Sequence, residues 1–181
     1  MPSFSNHPSS IDYFKESFIK NGLARPSRYE VQFSPLASSI DMTRDSFPAE
    51  SVTLPSRGFN TIEEQWYGPT RIIPIGSKYD SNVIITFPVS SNQDERTFFE
   101  DWMDALIDVD TEQNKYGTIV STRSDIKIYT LDEFDKQTSK YTLYEAYPSN
   151  IFPISLGANM FNDYTRIQVQ FEYRSYTYSK I

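Results

Sequence analysis

Few residues in this 181-residue chain could act as nucleophile, general base or metal ligand. His7 is the one histidine, and it stands beside Pro8 in a polar stretch with no second histidine or cysteine to complete a triad or a zinc site. Cysteine is absent, which removes thiolate catalysis and disulfides together. The six glycines, at 22, 58, 68, 76, 117 and 157, build neither a Walker loop nor a G-x-G-x-x-G turn. Ser17 and Lys20 match an S-x-x-K tetrapeptide without its companion motifs, and one face of a helix explains the spacing. Acidic pairs are plentiful: Glu63-Glu64, Asp94-Glu95, Glu100-Asp101 and Asp132-Glu133. A glycoside hydrolase needs two carboxyl groups about 5–10 Å apart across a cleft, an arrangement that sequence leaves open. The pairs at 94–95 and 100–101 fall on a helix with an apolar opposite face and read as solvated charge. Asp108 and Asp110 lack the glycine and glutamate of an EF-hand loop. The expectation is therefore no catalytic residue, no metal and no cofactor. The competing class is a monomeric β-sandwich hydrolase with an acidic cleft.

The elements that would position such groups read mainly as strands. Residues 1–10, with Pro2 and Pro8, are expected to be flexible, and 11–181 to form a single domain. A short helix is expected from Ile11, capped by Ser9 or Ser10, with Ile11, Phe14 and Phe18 on one face and a stop at Gly22. Tyr29, Val31 and Phe33 alternate with polar residues as a half-buried strand does. A polar loop over Pro35 to Pro48 leads to a short strand at Ser51 to Leu54. Phe59 to Tyr67 and Arg71 to Ile75 form a long hairpin around Gly68-Pro69, with Pro74 marking an edge or distorted arm. Val83 to Val89 is a buried strand.

One helix is expected over 92–108, capped by Ser91 or Asn92, with Asp94 and Glu95 in its first turn. Phe98, Phe99, Trp102, Met103, Leu106 and Ile107 line one side, and burying all six is worth on the order of 10 kcal/mol. Val109 to Thr118 is a polar loop. Strands follow at Asp125 to Leu131, Tyr141 to Tyr147 and Tyr164 to Tyr178. On the last, Ile167, Val169, Phe171 and Tyr173 oppose Arg166, Gln168, Gln170, Glu172 and Arg174. The fold class expected is mainly β with one packed α-helix, an antiparallel β-barrel or sandwich.

Composition narrows the function. The chain holds 13 Tyr, 13 Phe and 2 Trp, more rings than a small core hides. They suit either contacts with other subunits or a Tyr-rich sheet surface. A formal net charge of −7 argues against a sequence-specific nucleic-acid binder, though not against a surface past which DNA slides. No apolar run approaches the roughly 20 residues of a membrane span. Residues 1–10 carry no export signal, so a cytosolic origin is expected.

Four stretches, in this order, resemble the tail tube proteins of contractile-tailed bacteriophages. The first is Gly22-Leu-Ala-Arg-Pro-Ser-Arg-Tyr-Glu-Val-Gln-Phe33, after a short helix. Glu50-Ser-Val-Thr-Leu-Pro55 follows, with a hairpin holding Glu64-Gln-Trp-Tyr-Gly-Pro69 and Ile72-Ile-Pro-Ile-Gly76. Val83-Ile-Ile-Thr-Phe87 then leads into Phe98-Phe-Glu-Asp-Trp-Met103, and Tyr147-Pro-Ser-Asn-Ile-Phe-Pro-Ile154 precedes the closing strand. The likeness runs from about residue 11 onward. The loop from Ser34 to Phe47 is long for the family, and the chain lacks the aromatic-Trp ending of some members.

The resemblance implies a structural subunit of six-membered rings that stack into a tube, through which genomic DNA passes during ejection. Type VI secretion ring proteins share the fold group. The partners implied are further copies of the chain, sheath and baseplate proteins, and DNA as transiting cargo only, with no membrane insertion. The location implied is the virion tail, assembled in the host bacterial cytoplasm. Alternatives of the same fold are a baseplate or tail-end ring, or a tube subunit of a phage-like injection or secretion system. The hairpin would reach a neighbour or the next ring, with Arg57, Phe59, Trp66, Tyr67, Arg71 and Tyr79 as contact candidates, or it is an ordinary surface hairpin. Alternation along a barrel wall makes Glu63, Gln65, Gln168, Gln170 and Glu172 candidates for the lumen, unless these faces look outward to solvent or sheath.

Overall fold

The computed structural model describes residues 24–34, 48–79, 82–108, 113–114, 123–157, 159 and 163–181. Expectations for the flexible start, the helix from Ile11, the S-x-x-K match, His7 and the loop at 35–47 lie outside these residues. In chain order the elements are β1 (Tyr29–Phe33), β2 (Ser51–Val52), β3 (Arg57–Glu64), β4 (Arg71–Tyr79), β5 (Asn82–Pro88), α1 (Asp94–Leu106), β6 (Ile107–Asp108), β7 (Gln113–Asn114), β8 (Ser124–Leu131), β9 (Gln137–Ile151), β10 (Arg166–Glu172) and β11 (Ser175–Lys180). The fold is mainly β with one helix, and all strand pairings are antiparallel.

A seven-stranded sheet runs β1-β8-β9-β10-β5-β2, with β11 also beside β9. The 15-residue β9 joins its two halves. Up to Ala146 it pairs with β8, and beyond that it pairs with β10. The turn between these partners falls at Glu145, whose φ of 53° is left-handed. Such a conformation is uncommon for a side-chain-bearing residue, and the surroundings hold it in place. Its N–H donates to Asp125 Oδ1 at 3.2 Å, and its carboxylate accepts from Arg123 and Arg174 at 2.8 and 2.6 Å. Among the described residues no strand pairing joins β1 to β2.

The core lies between the two halves of the sheet and α1. Val83, Ile85 and Phe87 of β5 and Ile167, Val169 and Phe171 of β10 are fully buried, as alternation predicts for one face of each strand. Trp102 is also fully buried, with the rings of Phe98, Phe171 and Phe33 centred 5.8, 6.0 and 6.3 Å away. These distances suit edge-on and tilted aromatic packing.

Several expectations need correction. The helix is capped by Gln93 in a left-handed conformation, with no side-chain cap bond, and not by Ser91 or Asn92. Its entry is held by Glu95, which accepts from both Ser90 N–H and Ser90 Oγ at 2.8 Å. Glu95 is therefore a buried structural acceptor, not solvated charge. Ile107 leaves the helix for β6 and is exposed, so the apolar face ends at Leu106. Gln113–Asn114, expected as loop, pairs with β6. The closing strand is broken at Tyr173-Arg174 into β10 and β11, because it follows β9 around its bend. The strand at Ser51 stops at Val52, while β4 runs on to Tyr79 and β9 extends to both sides of the expected span.

Candidate functional site

The feature that sets this chain apart is the β3–β4 ribbon. Its eight and nine residues are exposed along their whole length. A soluble monomer rarely leaves a large contiguous apolar patch uncovered. Here Phe59, Ile62, Ile72, Ile73, Ile75 and Tyr79 are all exposed, and Trp66 at the tip is 85% exposed. The local sequence explains the ribbon well. Gly68 has a φ of 95°, which a turn needs and glycine supplies at little cost. Thr61 stands opposite Pro74 and Asn60 opposite Gly76, so Ile75 is the extra residue of a bulge. Pro74 lacks an N–H, and an edge strand tolerates it.

Alternation puts Arg57, Phe59, Thr61 and Glu63 on one ribbon face and Gly58, Asn60, Ile62 and Glu64 on the other. On the first face the Arg57 guanidinium sits 5.9 Å from the Phe59 ring and 6.0 Å from that of Tyr79. Tyr79 meets Tyr176 of β11 edge to face at 5.6 Å, which anchors the base of the ribbon. Glu64 faces Arg71 across the strands. The six contact candidates, Arg57, Phe59, Trp66, Tyr67, Arg71 and Tyr79, thus share one exposed ribbon and its tip.

The lumen candidates form two groups. Gln168, Gln170 and Glu172 lie along β10 on the side opposite its buried Ile167, Val169 and Phe171. Glu63 and Gln65 belong to the ribbon, where Glu63 shares the face of Arg57 and Tyr79. Glu172 accepts a bond from the Tyr147 hydroxyl at 3.0 Å, and burial together with this carboxylate raises the Tyr147 phenol. The two bases ending the row are neutralised. Arg166 Nε donates to Glu50 at 2.8 and 2.9 Å and its Nη1 to Asp163 at 2.8 Å, while Arg174 pairs with Glu145. Sequence reading missed Glu50 and Glu145, whose partners lie 22 to 116 residues away in the chain, and Asp163, which pairs with Arg166 three residues on.

Glu95, Glu100, Asp132 and Glu133 of the acidic pairs bond within the fold. Asp132 Oδ1 accepts from the N–H groups of Phe134 and Lys136 at 2.7 and 2.9 Å, closing the β8–β9 turn, and these bonds hold its carboxyl below the usual range. Glu133 pairs with Arg25 and Glu100 with Arg96, both at 3.4 Å. Among the described residues no group of three or more His, Cys, Asp or Glu could hold a metal. No helix there is long and apolar enough to cross a membrane.

The described residues thus form an antiparallel sheet with one packed helix and an exposed, apolar-rich ribbon. The chain belongs to the phage tail tube protein family, whose model matches residues 24–179. This is a structural, non-enzymatic family. No curated protein sequence matches the chain. Among solved structures it is similar to a chain of the PVC sheath-tube complex of an extracellular contractile injection system in the extended state. That match has a TM-score of 0.66 and 16% identity over 92% of this chain and 97% of the other. The tube-terminating cap of the anti-feeding prophage gives 0.64 and 17%, covering 88% and 92%. The SPP1 tail tube gives 0.52 and 14%, covering 88% and 80%.

Proposed function

We propose that the chain is the repeating subunit of a tail tube in the virion, forming six-membered rings that stack around a lumen for DNA. The observation carrying this reading is the ribbon, where Phe59, Ile62, Trp66, Tyr67, Ile72 and Ile75 are each more than half exposed. Burying one such side chain is worth about 1.5–3 kcal/mol, so several per subunit would drive association. Arg57, Phe59, Trp66, Tyr67, Arg71 and Tyr79 then contact a neighbouring copy. The polar row Gln168, Gln170 and Glu172 is the better candidate for the lumen, with the ribbon pair Glu63 and Gln65 near the subunit contacts. Duplex DNA carries one charge per about 1.7 Å, so basic contacts repeated along a tube would slow its passage. Pairing Arg166 and Arg174 with carboxylates limits that drag. Sheath and baseplate proteins are the expected outer partners.

Electron microscopy of the purified protein tests the proposal. The expected result is rings or tubes about 100 Å wide, an estimate from six domains of this size. A protein that stays monomeric at high concentration overturns it. Rings that stop after one or two layers would instead make it an end ring. Deleting residues 58–76 is expected to leave a folded, soluble subunit that no longer forms tubes, measured by circular dichroism and microscopy together.

A further inference from the structure

The chain is rich in tyrosine and has no cysteine. Several of its phenols gather along one seam, where β11 lies beside β9 and meets the base of β4. Tyr141 packs against Tyr178 there, Tyr79 against Tyr176, and Tyr173 against Tyr176. A phenol differs from the phenylalanine rings of the core in its O–H group. It can give up an electron and a proton together, and two neighbouring phenols so oxidised join ring to ring.

Tyr141 and Tyr178 are the pair best placed to do so. They stand directly opposite each other on β9 and β11. The Ile181 N–H donates to the Thr138 carbonyl at 3.0 Å, which marks a hydrogen-bonded position of this ladder. Three residues back, Tyr178 and Tyr141 fall at a non-hydrogen-bonded position, where opposed side chains come closest. Their rings are centred 5.0 Å apart and tilted by 47°. Packed rings usually lie about 4.5–7 Å apart, so this pair is at the short end. The pairs at Tyr176 are wider, at 5.6 and 6.3 Å, and meet edge to face at 84° and 83°. That aims the edge of one ring at the face of the other. Tyr141 is held against the core, while Tyr178 is 56% exposed and open to an oxidant.

We propose that Tyr141 and Tyr178 are an oxidative cross-linking site, at which a peroxide and a haem peroxidase join them as dityrosine and fasten β11 to β9. One hydrogen peroxide takes an electron and a proton from each phenol and leaves as two waters. The two radicals then form a carbon–carbon bond between ring positions beside the hydroxyls. The hydrogens displaced from those carbons move to the phenol oxygens and restore both O–H groups. The bond closes residues 141–178 into a loop and constrains the unfolded chain as a disulfide does. A chain without cysteine has no disulfide for this purpose. The link lies within one subunit, so it does not rest on the tube assignment.

Treating the dilute subunit with hydrogen peroxide and a haem peroxidase tests the site. Trypsin cuts after Lys140, Arg174 and Lys180, so the two tyrosines leave on different peptides. The expected product is the peptide starting at Tyr141 joined to Ser175–Lys180, lighter than the two together by two hydrogens, with dityrosine fluorescence. Tyr178→Phe and Tyr141→Phe keep the rings and should each lose the joined peptide, while Tyr79→Phe should keep it. In the linked protein, hydrogen exchange of residues 175–180 should slow at least about tenfold. Links only between chains, a joined peptide that survives in Tyr178→Phe, or unchanged exchange in the linked protein would each overturn the proposal.

Discussion

One continuous run of the chain, from β2 to β5, is buried at one end and bare at the other. β2 and β3 pair in turn with β5 and β4, so body and ribbon share the same antiparallel geometry. Both ends are rich in Ile. Yet Ile85 is fully buried in β5, while Ile72 and Ile75 of β4 are exposed. The difference is what covers them. The body end lies under α1 and beside β10, whereas Ile72 and Ile75 of the ribbon end stand outside the buried core of the described residues. A strand's apolar pattern states that a face will be covered, and leaves unstated whether its own chain or another supplies the cover. The comparison predicts that body substitutions act on folding and ribbon substitutions act on assembly.

The largest expected effect tests the body. Trp102→Ala should cost about 3–5 kcal/mol, as large-to-small core changes do. The denaturant midpoint of the unassembled subunit measures it. A loss below about 1 kcal/mol would break the comparison, because a fully buried ring that contributes so little would mean the body is not the stabilising half.

A smaller effect is expected at the bend of β9. Bonds from Arg174 and then Arg123 hold the Glu145 carboxyl below its ordinary value. A folded-state pKa lowered in this way gives stability that is present above the unfolded value, about 4.3. It is lost as pH falls through the lowered one. The urea midpoint of the native subunit should therefore drop as pH falls below about 5. The Glu145→Gln protein should begin lower at neutral pH and fall less steeply. Parallel profiles for the two proteins would remove the carboxylate from the account of the bend.

Local periodicity made most of this fold legible. The alternation of Ile167, Val169, Phe171 and Tyr173 marked the buried face of β10, and the 3.6-residue spacing of Phe98, Phe99 and Trp102 marked the helix. What periodicity does not carry is long-range partnership. The left-handed Gln93 cap depends on Glu95 reaching back to Ser90, and the break at Tyr173-Arg174 depends on a bend in another strand. The hairpin itself was legible, because Gly68-Pro69 stands between two strand-like runs. The ribbon face that Glu63 shares with Tyr79 was not, since it turns on the register of β3 against β4.

The smallest effect on folding is expected at the ribbon tip, where it separates the two halves most sharply. Trp66 and Tyr67 are almost wholly exposed, and no hydrogen bond or ring contact with another described residue holds either. Replacing both with alanine should change subunit stability by no more than about 0.5 kcal/mol, the usual range for surface positions. At a subunit contact the same rings are the type of residue that dominates binding, and losing them there costs on the order of 2 kcal/mol or more each. That loss would raise the critical concentration for tube growth by at least about thirtyfold per ring, since 1.4 kcal/mol is a factor of ten. Light scattering against protein concentration measures this, beside a melting curve of the unassembled subunit. A double variant that melts normally and polymerises at the native concentration would make the tip a solvent-facing turn. It would confine the assembly surface to the strands below it, where Phe59 and Ile75 become the residues to replace next.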